Sequence, residues 1–411
     1  MALKEIRIGK NVITKDFLLF LIASALLGVT MAVESSSFAN RLAEDLHFTI
    51  NQRTLLEIPR ELPGLLVVFI SGALAFLGDV RTAAIANIIG GVGLMAFGLV
   101  PSGYWPVVAT MMVYSIGTHL YMPIQGAIGM SFAKDGKLGR RLGEIQSVNT
   151  AALIVTAAVL YVLYAYVKIP FVAAFSVGAV AMVLAGVVFF FMSPSHTETR
   201  KQRFVYNKKF KLFYVLSIIY GARKQVTYTF VPWLLITVYE QPASTMTMLF
   251  FIVAVLNIFF RPWLGGLIDR KGERFVLTLE AVLLLFACFG FALSRILFPP
   301  TIALVVAACC YIIDNLFSGA GMARTTYVRR LSDDPAEVSA TLAMGISLDH
   351  VISMSMPVFA GMLWSMGSGN GYVYVFVVGA VVSILNMILS SRVRVPSQQQ
   401  TAGAQDAAGT Q

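Results

Sequence analysis

Six ionisable side chains stand deep inside long apolar runs of this chain: His119, Arg223, Lys224, Asp314, Asp349 and His350. At about 1.5 Å of rise per helical residue, each lies near the middle of a bilayer-thick helix. Glu34 falls further toward the expected outer side, and Glu280 and Arg324 toward the expected inner side. A charge at that depth costs about 2.5–3.5 kcal/mol on insertion scales, so such groups face a partner or a wet cavity. The chemistry open to them is recognition of a charged solute and carriage of a proton. Asp349-His350 suits the second, because His titrates near neutrality and burial moves an Asp toward it. The structural alternative is a cation paired with Asp349 and a backbone carbonyl satisfied by His350.

Arg223 and Lys224 are adjacent in Gly221-Ala222-Arg223-Lys224-Gln225. Successive helical residues point about 100° apart, so the two cations cannot serve one spot. One is expected to line a cavity while the other meets a neighbouring helix. Asp314 reads more readily as a local hydrogen-bonding or ion-paired group, and His119 as a packed polar residue, with solute or proton roles as the alternative. Trp233 and Tyr228, beyond Arg223, read as packing or interface residues, with a place in a cavity wall as the alternative. In Glu57-Ile58-Pro59-Arg60-Glu61-Leu62-Pro63-Gly64, the prolines could bend the helix and Arg60 and Glu61 could form ion pairs of an outer gate. A polar helix start that tolerates proline in its first turns explains the same residues.

The elements that must hold these groups are long apolar helices. Of 411 residues, 57% are hydrophobic and 13% charged, and the mean hydropathy is +0.77. A water-soluble surface needs about a quarter charged residues, so lipid must solvate much of this chain. Runs of about 20 apolar residues suffice to cross a bilayer. Spans are expected over 17–38, 55–77, 83–100, 107–132, 145–166, 171–192, 212–238, 246–268, 275–291, 301–325, 338–363 and 372–389. The fold class is therefore an all-α membrane protein of twelve helices. Cys288, Cys309 and Cys310 lie inside apolar runs without metal-ligand spacing and read as small buried hydrophobes.

The net charge of +10 sits in short segments between spans and reads as topology, not as a nucleic-acid surface. With the N-terminus inside, 22 Lys and Arg fall in inner segments and four (Arg41, Arg53, Lys168 and Arg295) in outer ones. That asymmetry is the positive-inside pattern of an inner-membrane protein with both termini cytoplasmic. Arg140-Arg141 and Arg329-Arg330 take corresponding places and read as anchors at the inner surface. The chain divides into a bundle over 1–192, a basic linker over 193–211, a second bundle over 212–391 and a disordered tail over 392–411. A faint repeat supports the division. Leu74-Ala75-Phe76-Leu77-Gly78-Asp79-Val80-Arg81 returns, 190 residues on, as Leu264-Gly265-Gly266-Leu267-Ile268-Asp269-Arg270-Lys271. At that offset Glu34 corresponds to Lys224, which raises a pairing of Glu34 with Arg223 or Lys224, although their depths differ by about 7 Å.

The most specific motif is Gly265-Gly266-Leu267-Ile268-Asp269-Arg270-Lys271-Gly272-Glu273-Arg274. A glycine-rich helix end permits close helix approach. Asp269 can accept from a neighbouring helix N-terminus, Gly272 permits a tight turn, and Arg270 and Arg274 can latch onto acids. The run resembles the loop signature G-x-x-x-D-R-x-G-x-R of the major facilitator superfamily. The resemblance implies two six-helix bundles, transport by alternating access, and a gating role for the loop residues Asp79, Gly265, Asp269, Arg270, Gly272 and Arg274. It also implies a small-molecule substrate, for which, or for a coupling ion, the charges at mid-depth and Glu34 nearer the outside are the candidates: Glu34, His119, Arg223, Lys224, Asp314, Asp349 and His350. The first-half copy is degraded to Gly78-Asp79-Val80-Arg81, the arginine that many members carry before Gln125-Gly126 is Met122, and no Gly or Pro lies between Glu144 and Tyr166. These departures leave the subfamily open and weigh against a drug/proton antiporter, the rival within transport. A receptor on the same scaffold is the rival from another class. No catalytic triad, metal-ligand cluster or phosphate loop marks an enzyme, and no cofactor is expected. The cations favour an anionic or zwitterionic solute, and the acids and histidines favour proton coupling.

Overall fold

A computed structural model describes residues 5–8, 11–133, 138–194, 206–332 and 334–394. The expected disorder of the tail therefore lies almost wholly outside the described residues, as does much of the basic linker. A short antiparallel hairpin, Glu5–Ile8 against Asn11–Thr14, precedes the helices. The first long helices are α1 (Lys15–Asn40), the short α2 (Ile50–Leu55), α3 (Glu57–Leu74), α4 (Asp79–Leu99), α5 (Tyr104–Ser131), α6 (Leu138–Val162) and α7 (Phe171–Phe190). There follow α8 (Lys211–Thr237), α9 (Ala243–Leu297), α10 (Pro300–Phe317), α11 (Gly321–Leu331), α12 (Pro335–Met366) and α13 (Gly371–Ser390). Among the described residues, nine helices are long and apolar enough to cross a membrane. α9 is one of these and contains two arms, since Gly272 interrupts it with φ +82°. That left-handed conformation is open to glycine at little cost, which is why the motif turns there.

The protein consists of an all-helical membrane scaffold that falls into two compact units. The first comprises Met1–Lys201, Pro232–Val255 and Pro357–Ser365, and the second Gln202–Val231, Leu256–Met356 and Met366–Gln411. The division passes through α8 between Val231 and Pro232 and through α12 between Met356 and Pro357.

In the first unit α4 packs against α5 and α7, and α1 against α6 and α7. Gly93 lies so close to the backbone of Tyr114 that a Cβ would collide with it, so α4 and α5 meet backbone to backbone. Phe38, Phe97, Phe175, Tyr114 and Trp233 share one core, and Trp364 packs against it. At the same end Arg41 donates to the carbonyls of Phe97 and Val100, tying α1 to the last turn of α4. Segments distant in sequence close over this end. Asn40 donates to the carbonyl of Gln241, Ser365 donates to Asn51 at 2.7 Å, and Gly361 abuts Thr54.

The short α2 is started by a capping box, with Thr49 and Gln52 each satisfying the other's backbone. A break at Leu56 separates it from α3, where Pro63 is accommodated inside the helix. The second unit is built on Phe210, Phe213, Leu264, Ile268, Val276 and Phe317. Of the three cysteines only Cys288 is buried. Cys309 is exposed on α10 and Cys310 half-buried, so the expectation of three buried thiols fails for Cys309. In a membrane scaffold a lipid-facing position asks only that a residue be apolar, and sequence does not separate that face from the core.

Candidate functional site

The second unit carries two charge systems on α8, and helical geometry sorts them. Tyr220, Arg223 and Thr227 share one face, while Gly221, Lys224 and Tyr228 share another. Arg223 Nη1 donates to Asp314 Oδ1 of α10 at 2.9 Å, and its Nη2 lies 3.7 Å from Glu280 Oε1 on the second arm of α9. Arg324 of α11 stands 3.8 Å from the other Glu280 oxygen. The Tyr220 ring lies 3.5 Å from the Arg324 guanidinium carbon and 5.4 Å from that of Arg223. Arg223 and Glu280 have side chains 2% and 0% exposed. Two cations and two acids thus form a closed, formally neutral cluster, with the Glu280 oxygens in ion pairs but without hydrogen bonds.

The other face behaves differently. Lys224 Nζ contacts Asp349 Oδ2 of α12 at 2.7 Å, yet the two side chains remain 29% and 20% exposed. Ser353, one turn on, donates to Asp349 Oδ1 at 3.4 Å. Two glycines let the helices meet here. A Cβ on Gly221 would collide with Asp349, and one on Gly345 would lie 2.7 Å from the Phe213 ring. His350 is buried beside Asp349 on α12. Tyr228 is exposed on the face shared with Lys224, whereas Trp233 is buried in the core of the first unit.

The first unit holds a third cluster. Glu34, raised as a partner for Arg223 or Lys224, instead meets Arg60 at 3.4 Å. Arg60 also meets Glu57 at 3.0 Å, and Glu57 closes on Arg53. Both guanidinium carbons lie 5.3 Å from the Phe38 ring. His119 Nδ1 lies 3.0 Å from both the hydroxyl and the carbonyl of Ser115, and the Ser115 hydroxyl donates to the carbonyl of Arg60.

In the motif, Gly272 turns as expected, but other details differ. Nothing lies within 4 Å of a Cβ placed on Gly265, so no close helix approach uses it. Asp269, Arg270 and Arg274 are exposed, and the latched group is Glu273, buried with Arg330 Nε at 2.9 Å. Arg330 therefore does more than anchor, and Arg141 likewise pairs with Glu144 and covers the Phe17 ring. In the first copy Gly78 takes φ +74° and Asp79 opens α4. Sequence reasoning passed over Glu57, Gly221, Glu273 and Gly345, and left Glu280 and Arg324 outside the candidate site. Gly221 was legible as a small residue one turn before Lys224, and Glu57 through its spacing of four from Arg53 and three from Arg60, whereas Glu273 and Gly345 join through contacts that no local pattern marks.

The Major Facilitator Superfamily model matches residues 17–348. No curated protein sequence matches the chain. Solved structures do: the nucleoside transporter NupG is similar with a TM-score of 0.75 at 14% identity, covering 92% of this chain and 98% of that one. A D-xylose-proton symporter follows at 0.68 and 15% identity, covering 92% and 97%. The peptide transporter POT in complex with alafosfalin gives 0.69 at 13% identity, covering 92% and 95%. At such identities the likeness speaks for the fold.

Proposed function

The chain belongs to the major facilitator superfamily, and from that premise we propose that it is a secondary active transporter of a small organic solute, working by alternating access in the inner membrane. Twelve crossings follow if α3, α8 and both arms of α9 are added to the other long apolar helices. The 22-to-four charge asymmetry supports cytoplasmic termini. The halves over 1–192 and 212–391, joined by the basic linker, would rock about a site at mid-depth.

One observation carries the reading: a half-open ion pair, Lys224–Asp349, in the middle of two membrane helices. A structural pair would be sealed, as Arg223–Asp314 is. An exposed pair at that depth is suited to exchange its partners with a solute, and Lys224 favours an anionic or zwitterionic one. Proton coupling draws on Asp349 and His350 of the second unit and on Glu34 and His119 of the first.

The test is solute accumulation by proteoliposomes under an imposed pH gradient, with solutes chosen by thermal stabilisation of the purified protein. Accumulation that follows the gradient in the native protein and disappears in Lys224→Gln supports the reading. Uptake indifferent to the gradient removes proton coupling, and unaltered uptake in Lys224→Gln removes the site.

A further inference from the structure

We infer that the solute is a zwitterion, whose carboxylate replaces Asp349 on Lys224 while its ammonium replaces Lys224 on Asp349. The inference rests on the proposed reading of this pair as the solute site. Lys224 is about 20 Å along α8 from Lys211, and Asp349 about 21 Å along α12 from Pro335, both near the centre of a hydrocarbon core about 30 Å thick. Charges exposed by 29% and 20% at that level are not left against lipid tails, so the surface around them is wet.

Among the described charged groups at mid-depth in the second unit, this pair is the accessible one; Lys209–Glu337, also open, sits near the helix starts. Arg223, Glu280, Asp314 and Arg324 are all buried, and each is engaged by an opposite charge. A solute that needs a charged partner here therefore meets a lysine and a carboxylate already neutralising each other. An anion that takes Lys224 strands Asp349, and a cation that takes Asp349 strands Lys224. A single charge left unmatched at mid-membrane depth is penalised so heavily that singly charged analogues should bind on the order of a hundredfold more weakly. A neutral solute leaves the pair shut and gains only ordinary hydrogen bonds. A zwitterion gives each protein charge a new opposite partner and leaves the site neutral before and after. Ser353 keeps a donor on Asp349, and Gly221 keeps the two backbones near enough for one short molecule to reach both groups.

The experiment is thermal unfolding of the purified full chain with the twenty amino acids, β-alanine, 4-aminobutyrate and glycine betaine. Each amino compound is paired with its N-acetyl acid and its amide. The expected result is a concentration-dependent rise in Tm with at least one zwitterion, and a loss of about a hundredfold in apparent affinity for both of its singly charged derivatives. Lys224→Gln/Asp349→Asn, which removes both charges together and strands neither, should fold and lose the response. An equal response to the N-acetyl acid, a response that survives in the double variant, or no response to any zwitterion overturns the inference. Labelling of Asp349→Cys by a charged, water-soluble thiol reagent, with Cys288, Cys309 and Cys310 replaced by Ser, separates the two levels. A labelled but unresponsive protein loses the zwitterion and keeps the solute site, whereas an unlabelled one loses both.

Discussion

Arg223 is the residue on which the second unit's buried charges depend. It is shared by Asp314 and Glu280, and among the described residues only Glu280 has a second cation in reach, Arg324. Arg223→Gln should therefore cost about 3–5 kcal/mol, the penalty for leaving buried carboxylates without their counter-charge. Thermal unfolding in detergent checks it, and Asp314→Asn added to Arg223→Gln should restore part of the loss. A Tm unchanged by Arg223→Gln would show that the cluster carries no stability. The same residue shows what sequence made legible. The two adjacent cations and the 100° between them were readable, and they do serve different helices. Their partners were not, because Asp314 lies 91 positions away and Asp349 lies 125 from Lys224. Glu280 reads from sequence as lying toward the inner side, five positions into the span expected over 275–291. The length of the Arg223 side chain and the approach of Arg324 close the remaining height. Sequence depth ranks residues along one helix, and pairing is decided by how far long side chains reach between helices.

At the level of elements, α8 and α12 meet through glycine. Gly221→Val should force α12 away from α8 at Asp349, lowering Tm and abolishing solute-dependent stabilisation together, whereas Ser at Ser355, exposed on the same helix, should tolerate Ala. The two helices also share an interruption. Each carries a proline, Pro232 or Pro357, at the position where it leaves one compact unit for the other. A proline removes the hydrogen bond to the preceding turn and frees the helix to bend. Pro232→Ala and Pro357→Ala should raise Tm and slow solute exchange, measured as initial uptake rates; faster or unchanged uptake would dismiss the prolines as hinges. The Gly272 turn was readable from the motif because φ +82° admits few other residues. Gly272→Ala should cost about 1–3 kcal/mol by strain at that position, seen as a lower Tm. The Glu273–Arg330 contact beside it was hidden, since the motif leaves that glutamate's place unspecified.

At the level of the whole molecule, the first unit is not the first half of the sequence. Trp233, Gln241, Gly361, Trp364 and Ser365 belong to it and close one of its ends through Asn40, Asn51 and Thr54. In the proposed topology that end faces outside, and in the proposed alternating access it opens. Thr54→Cys/Gly361→Cys, with the native cysteines replaced by Ser, should form a disulfide under oxidation, since the two Cβ positions are within bonding reach. Oxidised vesicles should lose uptake and regain it with reductant. Uptake that persists after complete cross-linking would show that this end stays shut throughout the cycle. The all-helical membrane scaffold was legible because hydropathy is additive along the chain. The redistribution of α8 and α12 was not, because it depends on which surfaces meet once helices have formed.

The closed cluster of Arg223, Glu280, Asp314 and Arg324 also bears on descent. Four buried groups whose charges cancel cannot drift one at a time. A lineage that loses Glu280 must shed or redirect a guanidinium in the same step, or pass through a poorly folded ancestor. Related transporters should therefore inherit this quartet whole or lack it in balanced pairs, while Lys224 and Asp349, which water can shield, are left to vary with whatever each relative carries.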